Sequence, residues 1–186
     1  VECGAHEVWT EMINATALVR GNAKTVAMLK AVPVPGVRQV VQLFGREPQD
    51  FVTVIESGML RDYDEVNLNM GCPAPKIIKN HCGCDLMRHP DDAQRLIEVC
   101  ATALKKTKQT LSVKMRLGWS SDIAVEFAQM CVDAGAERLI VHGRLGIDGY
   151  RGVADYAGIA RVKAAVKVPV IANGDVRDHT SYEKCL

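Results

Sequence analysis

The sequence predicts an α/β fold, an incomplete (β/α)8 TIM barrel with about six of its eight βα units, on three observations. Short β-rich runs alternate with helical patterns along nearly the whole chain, as expected of βα units around a parallel sheet. Several of these runs are apolar at almost every position, which suits strands covered on both faces. Each run also finishes on polar groups: Thr10 and Glu11, Gln42, Asn67 and Asn69, Lys114 and Arg116, His142 and Arg144, Asn173 and Asp175. In a barrel the carboxyl ends of all strands converge on one face, so these groups would surround a single cavity. A doubly wound sheet, the rival architecture, would gather polar groups at its switch point rather than at every strand.

The strand candidates are HEVWT (6–10), VRQVVQLF (37–44), EVNLNM (65–70), TLSVKMRL (110–117), ERLIVHG (137–143) and VPVIAN (168–173). Between them lie helices with recognisable ends. HPDDAQRLIEVCATALKK sets Pro90, Asp91 and Asp92 in its first turn and Lys105 and Lys106 at its end, matching the helix dipole. Its residues Ala93, Leu96, Ile97, Cys100, Ala103 and Leu104 recur at helical spacing and predict one buried face. SSDIAVEFAQMCVDAGAE repeats the plan, with Ser121 or Asp122 as cap, Phe127, Met130, Cys131 and Ala134 inward and Gly135 as terminator. ADYAGIARVKAAVK is a third helix, and the last residues read as the opening of another. No low-complexity segment or linker divides the chain, so residues 1–186 are expected to form one partial barrel domain.

Composition narrows the function classes. The chain has 186 residues, 48% hydrophobic and 24% charged, with a formal net charge of +1, an ordinary balance that includes no basic tail for nucleic acid. Seven cysteines is an odd number, and Glu2, His6 and Glu7 interrupt any leader-like apolar stretch, so reduced thiols in a cytoplasmic protein are expected. No apolar run approaches the roughly 20 residues of a membrane helix. There is no G-x-G-x-x-G after a first strand and no phosphate loop, GNAKT at 21–25 having the wrong spacing.

The stretch NLNMGCPAPKIIKNHCGCDLM (67–87) holds Cys72, Cys82 and Cys84. Zinc sites pair ligands through C-x2-4-C elements, and neither the Cys72–Cys82 nor the Cys82–Cys84 interval fits, so no metal is expected. A disulfide fits the geometry but not the inferred compartment. Cys72 differs from the others because it follows a strand end directly, between Gly71, which lets the backbone turn, and Pro73, which stiffens it. That order puts a thiol over the cavity; the competing reading is a buried loop cysteine acting as a small hydrophobe, the role expected of Cys100 and Cys131 on apolar helix faces. Cys3 and Cys185 carry no signal.

This stretch, followed by VKMRLGW, VHGRLGIDGYRGVADYAGI and VPVIANGDV, resembles the bacterial tRNA-dihydrouridine synthases, flavoenzymes on a (β/α)8 barrel. TEMINA and VQLFG look like that family's second and third strands. The resemblance implies an FMN-dependent, NADPH-driven reduction of specific uridines in tRNA, with hydride passing to C6 of the uracil while a cysteine protonates C5. Cys72 matches that catalytic acid. A thiol suits the task because thiols ordinarily keep their proton near neutrality, whereas a carboxylate is already ionised. Asn69 matches the amide that orients the pyrimidine, and Arg116 and Arg144 match substrate- or tRNA-facing charges. Gln42 and Lys114 resemble groups that hydrogen-bond the isoalloxazine, Lys114 steadying negative charge on the reduced ring. His142 and the Asn173, Gly174, Asp175 turn resemble further FMN contacts, the turn close to the phosphate. Implied partners are tRNA but no membrane and no metal, and the full-length protein is expected to be a monomer.

Two departures from the pattern stand out. Cys84 occupies a position where the family has a small residue, often Ala, and offers a second thiol near the first, while His81 in the preceding loop reads as a solvated histidine or a phosphate contact. The family's first strand, its eighth strand and its C-terminal helical tRNA-binding domain have no counterpart in the sequence, so a copy truncated at both ends is expected. A dihydroorotate dehydrogenase-like enzyme acting on a free pyrimidine, and a non-catalytic remnant of the barrel, stay open as alternatives.

Overall fold

Six strands, β1 (Glu7–Asn14), β2 (Arg38–Phe44), β3 (Glu65–Met70), β4 (Thr110–Met115), β5 (Arg138–His142) and β6 (Val170–Asn173), pair in parallel in the order of the sequence. The structure, a computed structural model, describes residues 4–30 and 34–185; Cys3 and the two terminal residues Val1 and Leu186 lie outside them. A strictly sequential order decides between the two architectures. Right-handed crossovers that always step in the same direction lay every helix on one side of the sheet, so the other face must bury itself by curling. A doubly wound sheet reverses direction and covers both faces.

The curl is visible in contacts between non-neighbouring strands. On β5, Arg138 Nη1 donates to Glu7 Oε2 on β1 at 2.7 Å, and its guanidinium lies 5.7 Å from the Trp9 ring centroid. In a flat sheet four strand spacings of about 4.8 Å would hold these strands about 19 Å apart. The chain therefore forms an incomplete (β/α)8 barrel, with β1 and β6 as its two edges among the described residues.

The helices are α1 (Ala15–Val19), α2 (Ala23–Val26), α3 (Pro48–Glu56), α4 (Pro75–Lys79), α5 (Pro90–Leu104), α6 (Ala124–Asp133), α7 (Tyr156–Ala165) and α8 (His179–Glu183), with a 3-10 turn at Gly83–Arg88. In α5 the buried residues are the six that its spacing predicts. They pack with Val66, Leu68, Leu111 and Val113, the strand residues that face outward, and with Phe51 and Phe127. The cap of α6 differs from expectation: the helix begins at Ala124, and Asp122 Oδ1 accepts from the Ala124 N–H at 2.9 Å from just outside it.

Alternate residues of each strand face the concave side, and there the interior is polar. Glu65, Asn67 and Asn69 alternate along β3 with Val66, Leu68 and Met70, and all six are buried. The first strand runs further than predicted, to Asn14, and its register shifts between Trp9 and Met12. Such an irregularity resets which side chains face in. Met12 therefore faces the cavity, and Thr10, expected there, uses its hydroxyl to accept from the Gln42 N–H at 3.0 Å. No helix among the described residues is long and apolar enough to cross a membrane.

Candidate active site

At the carboxyl ends of the strands lies a cavity of about 400 Å³. Gln42, Asn69, Cys72, Lys114, Arg116, His142, Arg144, Asn173, Gly174 and Asp175, the ten site residues expected from sequence, all line it. Every strand from β2 to β6 contributes at least one of them or leads into the loop that does.

Cys72 is held from both sides. Asn69 Oδ1, at the end of β3, accepts from the N–H groups of Gly71 (3.2 Å) and Cys72 (3.0 Å), and the Cys72 carbonyl accepts from the Cys84 N–H at 3.0 Å. That last approach requires Gly83, whose φ is +61° and at which a Cβ would fall 2.7 Å from the Cys72 oxygen. Cys72 is half-buried, and among the described cysteines it alone borders the cavity. Cys84 points away, its thiol 3.8 Å from the Gly118 carbonyl, and burial pushes its pKa up to about 12 against the opposing pull of Arg116. Burial also raises Cys82, Cys100 and Cys131, so none of these is a ready proton donor.

The two arginines are both buried, and their donors turn largely to protein. Arg116, 2% exposed, donates Nε to the Gly71 carbonyl (2.8 Å) and Nη1 to those of Leu145 (2.9 Å) and Gly149 (2.7 Å). It thereby ties the loop after β3 to the loop after β5. Arg144 donates Nε to Arg151 O at 2.9 Å and Nη2 to Gly152 O at 2.8 Å and Asp175 Oδ2 at 2.6 Å. Asp175 also accepts from the Ala154 N–H at 2.8 Å, and its carboxyl sits below the usual range chiefly because Arg144 bonds it.

Lys114 makes no hydrogen bond or ion pair among the described residues, although burial, aided by nearby Arg116, holds its pKa below the usual lysine value. His142 is neutral. Its Nε2 lies 3.1 Å from Arg144 Nη1, a group that only donates, so Nε2 accepts and the proton sits on Nδ1. Burial, with Arg116, Lys114 and Arg144 adding to it, lowers its pKa to about 4. The backbone beside it is tight: Gly174 has φ +109°, and a Cβ there would lie 2.5 Å from His142 Cδ2.

The sign of the pH effect follows. A histidine whose folded pKa lies below its unfolded value of about 6.5 favours the fold above pH 6.5 and loses that contribution as pH falls toward 4. His142→Asn should flatten the loss of unfolding free energy between pH 7 and 4.5 by about 1–2 kcal/mol after allowing for solvent screening. Urea unfolding of both proteins at the two pH values checks this, and parallel pH slopes would refute it.

Four cavity residues escaped the sequence reading: Met12, Tyr150, Val176 and Arg177. Tyr150 is 81% exposed, yet its ring lies 5.6 Å from the Arg116 guanidinium and 6.3 Å from the His142 ring. An aromatic flanked by glycines in IDGYRG, within the loop that follows the fifth strand run, was the available signal. Outside the cavity, ligand-type atoms of His81, Asp85 and His89 lie within 4.8 Å of one another. Arg88 Nη1 donates to the same buried carboxylate at 2.9 Å, so Asp85 already holds a fixed positive charge. His81 Nδ1 lies 3.0 Å from Asp85 Oδ2, so this histidine stays solvent-exposed, as expected, while its ring is tethered to that carboxylate.

The fold has solved counterparts: dihydrodipicolinate synthase from Agrobacterium tumefaciens superposes with a TM-score of 0.51 at 23% identity, over 69% of this chain and 39% of that one. A probable tRNA-dihydrouridine synthase of Rhodobacter capsulatus is 37% identical over 98% of this chain and 56% of its own length. One from Rhizobium leguminosarum bv. phaseoli is 38% identical over 98% and 57%, and tRNA-dihydrouridine synthase B of Yersinia pestis 31% over 94% and 54%. The chain thus spans about half the length of these curated relatives. The model of the dihydrouridine synthase family matches residues 1–186, from end to end, and with a half-buried thiol over a cavity ringed by strand-end amides and cations, this chain belongs to that family.

Proposed function

We propose that this chain forms the catalytic face of an FMN-dependent tRNA-dihydrouridine synthase, which uses NADPH to reduce specific uridines in tRNA to 5,6-dihydrouridine. The observation that carries this reading is that the Cys72 thiol shares one cavity with Gln42, Lys114 and His142. The donor set fits a flavin. Lys114 presents an ammonium without a protein partner among the described residues, Gln42 a buried amide and His142 an Nδ1–H, and the Gly174 turn leaves no side chain between backbone and cavity. Gln42, Lys114, His142 and the Asn173–Asp175 turn would hold it, and FMN, when bound, supplies the hydride that reaches C6 of the uracil.

The chain's own groups do the rest. Cys72 gives its proton to C5, and Asn69 fixes the thiol by holding the backbone N–H groups of Gly71 and Cys72. The second N–H of the Asn69 amide meets only the weak acceptor Met12 Sδ at 3.1 Å, so a uracil carbonyl can take that bond. Arg116 and Arg144 keep the cavity wall positively charged while bracing its loops. Reaching a base within folded tRNA requires its extrusion into the pocket, and exposed Tyr150 offers a face on which to stack it.

The test is mass spectrometry of tRNA incubated with protein, FMN and NADPH, beside a parallel assay with orotate. A gain of two mass units on specific uridines is expected. Turnover of orotate with unmodified tRNA would overturn the substrate assignment in favour of a free pyrimidine.

A further inference from the structure

Beneath the cavity floor, buried polar groups of β2, β3 and β4 join in one continuous chain of hydrogen bonds. Asn69 Nδ2 donates to Gln42 Oε1 at 2.9 Å, Gln42 Nε2 to Asn67 Oδ1 at 2.8 Å, and Asn67 Nδ2 to Ser112 Oγ at 2.7 Å. The Ser112 hydroxyl then donates to Glu65 Oε1. Glu65, Asn67 and Ser112 are fully buried, and Gln42 and Asn69 nearly so. Glu65 is itself gripped by Arg38 Nη2 at 3.0 Å and Arg138 Nη2 at 2.7 Å.

Every donor in this chain points away from the cavity. Both ends enforce that direction. At the lower end stands a carboxylate, which only accepts; at the upper end two backbone N–H groups, which only donate, face Asn69 Oδ1. The primary amides between them have no intrinsic direction, since each carries a donor and an acceptor of nearly equal size. In a water-excluded interior none can turn over alone without leaving donor against donor.

We propose that Glu65, acting through Ser112 and Asn67, is a positioning residue that sets the donor–acceptor polarity of Gln42 and Asn69. Four residues of strand, about 13 Å, separate it from Asn69. Through this relay it decides which arrangement of remaining N–H groups and lone pairs the floor presents to a heteroaromatic imide, the feature shared by uracil and the isoalloxazine. It also keeps Asn69 Oδ1 on the backbone that carries Cys72. The functional side of this inference rests on the reading above; the relay itself does not.

The test moves the carboxylate. Ser112→Ala breaks the chain at its middle with little change of volume. Asn67→Asp alone sets two carboxylates on one hydroxyl. In Glu65→Gln/Asn67→Asp the acceptor-only end shifts one layer upward, Ser112 donates to position 67 and the polarity above is kept. Two readouts are taken without flavin or tRNA: amide hydrogen exchange at Gly71 and Cys72, and the rate of Cys72 alkylation by iodoacetamide across pH. Ser112→Ala should exchange at those two amides about tenfold or more faster than wild type and shift the alkylation profile, with α5 unchanged. The double variant should return both readouts to within about twofold of wild type. Wild-type exchange and alkylation in Ser112→Ala would overturn the relay, as would a double variant no better, in folding or in either readout, than Asn67→Asp. Absence of dihydrouridine formation by the wild-type protein would instead overturn the proposed activity.

Discussion

On the proposed function, Cys72→Ala is expected to bind flavin as wild type does and to form dihydrouridine about 10²–10⁴-fold more slowly, the range typical of losing a positioned general acid. The two effects separate because the thiol is not among the groups that would grip the cofactor, whereas its backbone is fixed by Asn69 and Cys84 whatever side chain it bears. Neighbouring thiols cannot substitute. Cys84 is buried, faces Gly118 and has its pKa pushed up to about 12 by burial, and Cys82 is buried as well. Flavin absorbance of the purified variant and single-turnover dihydrouridine formation measure the two halves of the claim. Turnover equal to wild type would remove Cys72 from the mechanism, and loss of flavin would recast it as a structural residue.

Arg116→Met should destabilise the fold by about 3 kcal/mol or more. Methionine fills a similar length, but the carbonyls of Gly71, Leu145 and Gly149 then lose their donors, the first in a buried setting and the other two in a part-buried one. The contact between the guanidinium and the exposed Tyr150 ring, about 0.5–1 kcal/mol at such a site, goes with them. Arg116→Lys should recover only a minority of the loss, since an ammonium cannot span three carbonyls as a planar fork does. Urea unfolding reads both variants, and a change below about 1 kcal/mol for Arg116→Met would show that the loops after β3 and β5 are braced by something else.

Much of the fold was legible because barrels encode their units locally. The buried face of α5 follows from its spacing, and the six strand runs from their apolar character between breakers. The cavity set was legible for a related reason: polar residues that end apolar runs mark the carboxyl end of each strand, and the topology gathers those ends. Met12 was not, because the shift of register after Trp9 leaves no trace in residue type. Nor was the burial of Arg116 and Arg144, two residues that look like solvent-facing cations until the loops they bind are folded over them.

By itself, the amino-acid order determined which units form, where each strand stops, and that a thiol follows the third strand between Gly71 and Pro73. These are short-range matters, settled by side-chain period, capping and the stiffness of a few backbone positions. Only the tertiary structure decided which polar groups meet. Gln42 and Asn69 are 27 residues apart, Glu65 and Ser112 are 47, and Glu7 and Arg138 are 131, and each pair depends on strand register and the curl of the sheet. Register and curl belong to the packing of all six strands at once, so a directional chain such as that from Asn69 to Glu65 exists only in the folded barrel.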